Sequence, residues 1–480
     1  MGQCRGEHAQ LPHPAREGEG VPRRPRGAGG AGGGPPPRAR PAHPRRGRGL
    51  EAAARVAAAR PRGPRHDRRG HRAPRPAGSR APVRRPLTVP SAPAHRPTAG
   101  TEGLRRENTA SVLRALRRLG PATRAELAKD TGLAKATVGV IVSALEAAGA
   151  VAEQGSRPGA RGRPGRPVAL RGERFLGLGL ELNVDYVAAV VLDLAGRVHV
   201  RETRPASSVD DLLDLARSVW DGCSGPDRAL VGATVALPAL VRADNRTVAW
   251  APNLEAHGDD IAARVSQVVP AGDVRVTNDA NCAAYAEAHH GAARGVRHAL
   301  YLTGTVGIGA GILQDGELVR GGAGFAGEVG HMPVGDSAAV CGCGRRGCWE
   351  ASVGLKAMLA AVGMPELDTP LVTAEAVADR AASDGGVRAG LERVGHDLGL
   401  GIAMLSSVLD PTVIVLGGYF APLGELVLEP ARRTLDERLA SQVQVRPALR
   451  PSTLGIEAAA LGAAEQCFDP VFSGSTDLTA

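Results

Sequence analysis

The sequence predicts an α/β fold of two lobes behind a short three-helix module and a basic extension. Three observations predict it. Apolar strand-like runs alternate with helical patterns across residues 171–480, a stretch long enough for two lobes. Residues 105–148 carry three short helical stripes with a tight turn before the third. The charge is segregated: residues 1–100 hold 22 Arg, no Lys and 5 acidic residues, whereas residues 171–480 hold 25 basic and 38 acidic ones. An acidic body behind a basic end allows a nucleic-acid partner at that end and argues against one for the body.

Residues 1–100 contain no Phe, Trp or Tyr and include Gly32-Gly33-Gly34-Pro35-Pro36-Pro37. A segment this poor in bulky apolar groups cannot offset its chain entropy by burial, so it is expected to be a disordered basic extension. Two other readings stay open: an arm that grips phosphates, or codons upstream of the true start. Met1 is the only Met before Met332, so an alternative start would use another codon.

Residues 101–170 read as a winged helix-turn-helix. Val112, Leu113, Leu116 and Leu119 form one stripe, and Gly120-Pro121 ends the helix. Thr123-Arg124-Ala125-Glu126 is a capping-box pattern that opens a second helix, which Gly132 closes. A third helix, from about Lys135 to Ala148, would bury Val138, Ile141, Val142 and Leu145. Its other face offers Lys135, Thr137, Gly139 and Ser143 to the major groove. Val151–Glu153 reads as a strand, and the Gly/Pro-spaced Arg161 and Arg163 as a wing suited to a narrow minor groove. A three-helix interaction module with a flexible linker is the competing reading; the local net charge of +6, from 12 basic and 6 acidic residues, weighs against it.

The body divides into a first lobe, 171–296, and a second, 297–480, whose C-terminal helix is expected to return to the first. Strands are expected at 176–182, 187–194, 229–237, 274–277, 300–303, 308–313 and 413–418, with a hairpin turn at Asp315-Gly316. Helices are expected near 209–220, 280–291, 386–409 and 423–440. No apolar run reaches the ~18 residues of a membrane span, and the N-terminus is not a secretory signal, so a cytoplasmic protein is expected.

His331 with Cys341, Cys343 and Cys348 is a tetrahedral zinc set with no position left open, which points to structural rather than catalytic Zn²⁺. Unpaired buried thiols are the alternative.

Three ordered motifs then converge: Asn278-Asp-Ala-Asn281, Ala326-Gly-Glu328-Val-Gly-His331, and Cys341-Gly-Cys-Gly-Arg-Arg-Gly-Cys-Trp-Glu350. Together with Ala251-Pro-Asn253-Leu254 and the glycine turn at 417–418, they resemble the ROK family of repressors and sugar kinases over about residues 104–468. The resemblance implies an actin-like, ribonuclease-H-like two-lobed fold with a sugar cleft between the lobes. A preceding helix-turn-helix implies the repressor branch. It further implies that Asn253, Asn278, Asp279, Glu328, His331 and Glu350 line the sugar site. Carboxylates and amides suit vicinal hydroxyls, each both donor and acceptor. In kinase members the Asp279 position is the general base.

The phosphate loops separate kinase from sensor. Where the family's first loop reads Asp-x-Gly-Gly-Thr, this chain has Glu181-Leu182-Asn183-Val184-Asp185. A carboxylate in place of the Thr repels phosphate, by about 4 kcal/mol at 4 Å if the effective dielectric is near 20. In the second loop Val306 stands where a hydroxyl is expected. The expected protein is therefore a non-enzymatic, sugar-responsive regulator that binds operator DNA as a homodimer or homotetramer. Its effector would be a sugar or sugar phosphate. An ATP-dependent sugar kinase with an accessory DNA-binding module, and a pure interaction protein with a vestigial cleft, are its rivals.

Overall fold

The computed structural model describes residues 100–155, 165–206, 208–251, 254, 260–305, 307–439 and 445–479. The basic extension, Arg161, Arg163, Asn253 and Val306 lie outside the described residues.

The N-terminal module comprises α1 (Thr101–Leu119), β1 (Ala122–Thr123), α2 (Arg124–Thr131), α3 (Lys135–Ala147), β2 (Val151–Glu153) and β3 (Pro167–Leu170). Gly120 ends α1 at φ +71°. Thr123 and Glu126 form the expected capping box, and Gly132 closes α2 in the left-handed region. Leu127, Val138, Val142 and Leu145 are buried between the three helices. The module is more than helical. Its strands form a sheet in the order β1-β3-β2, so β2 and β3 are the two arms of the wing, and Gln154 N–H bonds Pro167 O at 2.7 Å.

The body begins with β4 (Phe175–Leu182), β5 (Tyr186–Asp193), β6 (Val198–Pro205), α4 (Val209–Cys223) and β7 (Ala229–Leu237). A small hairpin, β8 (Leu240–Val241) and β9 (Val248–Trp250), leads to α5 (Ile261–Val268), β10 (Val274–Asn278) and α6 (Asp279–His290). The second half runs β11 (Ala299–Gly304), β12 (Ile308–Gln314), β13 (Glu317–Leu318), α7 (Glu350–Val353), α8 (Leu355–Val362), α9 (Pro370–Ala381) and α10 (Gly385–Leu409). It ends with β14 (Val413–Gly418), α11 (Phe420–Leu423), α12 (Glu425–Arg438), β15 (Ala448–Pro451), α13 (Ala458–Gln466) and α14 (Asp469–Ser473). The β12–β13 turn puts Asp315 at φ 54° and Gly316 at φ 83°, the conformation that an Asp-Gly hairpin turn favours.

The two large sheets are ordered β10-β7-β4-β5-β6 and β13-β12-β11-β14-β15. In each, an antiparallel meander of three strands is extended by two parallel ones beside its first strand. One topology used twice, with helices α6 and α13 between, defines the two-lobed frame. Helix α13 lies almost on the backbone of β4: a Cβ at Gly179 would stand 1.9 Å from Ala460 O, and one at Gly462 would stand 1.7 Å from Cys282 O on α6. Glycine is therefore required at both crossings.

The helix-turn-helix is not tethered at a distance. One buried cluster runs from Val112, Leu116 and Val168 through Val190 of β5 to Leu461, Ala464 and Phe472. Arg117 of α1 pairs with Glu465 of α13, and its guanidinium lies 4.5 Å from the Phe472 ring centroid. Glu465 also bonds His290 Nε2, at the end of α6, at 2.7 Å.

Candidate functional site

The site is built at the start of α6. Asn278 caps the helix, its Oδ1 accepting from Asn281 N–H at 3.0 Å, and its amide donates to Ala239 O and to Asp279 Oδ1. This fixes Asp279 at the first turn, facing the cleft. Burial raises the Asp279 carboxyl to about 7; the Ala280 amide opposes the rise and the Glu328 charge adds to it. A carboxyl so placed can accept or donate a proton near neutrality.

From the other lobe, Glu350 at the start of α7 accepts from Ile308 N–H at 3.0 Å. Its Oε2 lies so close to Gly307 that a Cβ there would stand 2.4 Å away. Glu328 precedes a short turn over Val329–His331, and burial raises its carboxyl, partly countered by His331. Asn278, Asp279, Glu328, His331 and Glu350 meet around one pocket of about 130 Å³. Thr303, Thr305 and Trp250 also line it. Trp250 was not legible as a site residue, because aromatic residues are scarce in the chain; it is 48% exposed at the end of β9, where a ring can cover a sugar face. Its neighbour Ala251, which opens the Ala-Pro-Asn-Leu motif, was the available signal.

Beside this pocket the donor atoms of His331, Cys341, Cys343 and Cys348 all lie within 4.8 Å of one another. Cys343 and Cys348 sulfurs are 3.7 Å apart and Cys341 Sγ is 3.8 Å from His331 Nδ1. Tetrahedral bonds of about 2.3 Å give edges of roughly 3.8 Å, so the donor set fits a zinc-sized ion. Cys341 Sγ also reaches Glu350 Oε1 at 3.5 Å, linking this loop to the pocket. The Arg345 amide and guanidinium hold the Cys343 thiol down to about 6, while burial pushes Cys341 up to about 12 and raises Cys348, so without a cation only one of the three thiols is drawn toward thiolate.

Glu181 lies at the end of β4. Glu181 is buried, and its Oε1 accepts from the Tyr186 hydroxyl and from Asn183 Nδ2. Burial raises this carboxyl to about 8 despite those bonds, and the Asp279 charge adds to the rise.

On α3, Lys135 and Ser143 are exposed and Gly139 is half-buried, flanked by the exposed Ala136 and Val140. Thr137 instead lines a groove against Leu104 and Asn108 of α1, so it stands at the edge of the outward stripe.

Two repeated sheets, a polar cleft between them and a helix-turn-helix ahead of them define the class: a sugar-kinase-type scaffold joined to a helix-turn-helix module. The chain belongs to the ROK family, whose profile matches residues 177–467, and residues 107–155 match the IclR helix-turn-helix domain. It is 30% identical over 369 residues to the xylose repressor of Bacillus subtilis, an alignment spanning 75% of this chain and 94% of that protein. Among solved structures, a ROK family transcriptional regulator described as a homolog of the Escherichia coli MLC protein matches with a TM-score of 0.65 at 22% identity. That match covers 77% of this chain and 97% of that one. A ROK family glucokinase from Streptomyces griseus in complex with glucose and AMPPNP matches with a TM-score of 0.52 at 27% identity, covering 61% and 98%.

Proposed function

We propose that the chain is a sugar-responsive DNA-binding transcriptional regulator, by default a repressor, whose cleft binds a sugar or sugar phosphate without phosphorylating it. The observation that carries this reading is the meeting of Asn278, Asp279, Glu328, His331 and Glu350 around one small pocket, in a chain whose first helices form a helix-turn-helix. Relatives named xylose repressors, matched over nearly their whole length, make xylose the first sugar to test.

In this reading the three carboxyl groups accept hydrogen bonds from sugar hydroxyls, and Asn278, whose two amide N–H groups are held by Ala239 O and Asp279 Oδ1, lines the pocket and fixes Asp279 in place. Asn253 would join them. Closure of the lobes on the sugar bears on the start of α6. The far end of α6 meets Glu465, which grips Arg117 of the helix-turn-helix. A ligand shifts the DNA-bound state only through its differential affinity for the two arrangements. DNA would be read by Lys135, Gly139 and Ser143, with Thr137 at the edge of that face, and by Arg161 and Arg163 of the wing. A homodimer or homotetramer would place two modules on half-sites about one helical turn apart or a multiple of it. His331, Cys341, Cys343 and Cys348 would hold Zn²⁺, which when bound ties the loop carrying Cys341–Cys348 to the start of α7. Action in the cytoplasm is part of this proposal; among the described residues no helix is long and apolar enough to cross a membrane.

An ATP-dependent sugar kinase is the second reading. It is favoured by Asp279, whose carboxyl near 7 suits a general base. Two assays on one preparation decide. Operator binding measured with and without xylose should change by at least tenfold, and a coupled ADP-release assay with the same sugar should stay at background. Turnover of sugar to sugar phosphate, with no preference for operator over random duplex, would reverse the assignment.

A further inference from the structure

On α3 the side chains opposite the buried stripe are Ala136, Val140, Ser143 and Ala147, spaced four, three and four residues apart, and all four are exposed. Along Lys135–Ala147 the only charged side chains are Lys135, at the start, and Glu146, which Arg124 holds at 3.1 Å. The helix carries no Arg, Asn or Gln, the side chains that give guanine or adenine a bidentate partner. In their place it turns Val140 outward, 72% exposed and the bulkiest apolar group on that face.

A single exposed valine is ordinary on a protein surface. Its neighbour Gly139 supplies an independent observation. A Cβ added at Gly139 would meet no atom within 4 Å among the described residues, and its φ is not in the left-handed region. Neither packing within the chain nor backbone conformation calls for glycine there, and glycine inside a helix is less stable than alanine. What the glycine does provide is an outer surface lower by one methyl group, so that an incoming duplex can approach α3 more closely beside Val140.

We propose that Val140 is a specificity-determining residue of the DNA interface, its methyl groups packing on the 5-methyl group of a thymine in the major groove at a depth that Gly139 permits. Among the base edges of the major groove only that of thymine carries a methyl group. Discrimination at this position therefore comes from apolar contact rather than from hydrogen bonds, and the operator carries a thymine opposite Val140 in each half-site. The inference rests on the regulator reading and deepens it. Val140 also rims a groove against Leu104 and Asn108 of α1, so a second copy of the chain is the competing occupant of this face.

The test starts from duplexes enriched out of a random-sequence pool by the full-length protein. The enriched duplex is remade with deoxyuridine in place of each thymidine in turn, which removes only the methyl group. Deoxyuridine at the contacted position is expected to weaken wild-type binding about fourfold, the value of one buried methyl group. Val140→Ala, at an exposed helical position, should fold and lose that difference. Gly139→Ala should melt at or above the wild-type temperature, because the added methyl group has open space, yet bind the thymidine duplex about tenfold more weakly. Equal affinity for every thymidine and deoxyuridine duplex, an undiminished difference in Val140→Ala, or wild-type affinity in Gly139→Ala would each overturn the inference and leave the regulator reading standing. Should no duplex be enriched, the regulator reading falls and takes the inference with it. Should Val140→Ala change the oligomeric state in light scattering but not the preference for thymidine, the face belongs to a second copy and the proposal falls.

Discussion

Arg117→Ala tests how the helix-turn-helix is held to the body. Glu465 is 4% exposed and is met by Arg117 and by His290. Burial alone would raise its carboxyl, but the His290 hydrogen bond and the Arg117 charge outweigh burial and hold it at about 2. Against the ordinary value of 4.5 this depression is worth on the order of 3 kcal/mol. Arg117 is 26% exposed and shares the task with His290, so its removal should cost about 1–2 kcal/mol, including its contact with Phe472. In a folded unit as large as Thr88–Ala480 that lowers Tm by only about 1–3 °C. The pH dependence has a definite sign. A carboxyl depressed in the folded state stabilises fully above its unfolded value of 4.5, and the stability is lost as pH falls from there toward 2. Calorimetry at pH 7 and at steps down to pH 3 should show Arg117→Ala less stable at pH 7, with a shallower loss on acidification. Identical Tm and identical acid slope in variant and wild type would refute the reasoning.

Cys343→Ser should reduce bound zinc to well below one equivalent, by metal analysis, and lower Tm; a full equivalent retained rules out the donor set. Lys135→Ala should weaken operator binding about three- to tenfold at moderate salt and flatten its salt dependence, as gel-shift titrations at two salt concentrations would register. Glu350→Gln removes the charge and one of two acceptors from a group that can still take Ile308 N–H and that lines the proposed sugar pocket. Sugar affinity should fall by about tenfold or more, and unchanged heats of sugar binding would remove Glu350 from the site.

Much of the body was legible because its strands are apolar runs and its site residues travel in ordered motifs. The β7 and β14 spans fall where the sequence places them, and Asp315-Gly316 makes the hairpin turn it signals. β6 was not legible: Val198–Pro205 is half-exposed along its length and shows neither an apolar run nor an alternation. Helices α8 and α9 were also missed. Thr369 with Pro370 at the first turn is the start signal that could have marked α9. In the site, Thr303 and Trp250 were missed because neither residue type announces a sugar when it stands alone.

What the sequence determined by itself is local or compositional: the capping box at Thr123, the helical stripes, the cysteine spacing and the Asn-Asp motif. These depend on hydrogen bonds and periodicities spanning a few residues. Only the tertiary structure decided that Glu465, 348 residues from Arg117, docks the helix-turn-helix, and that Asp279 meets Glu328 and Glu350 around one pocket. Burial and charge pairing arise from which surfaces meet, and no spacing along the chain encodes that meeting directly.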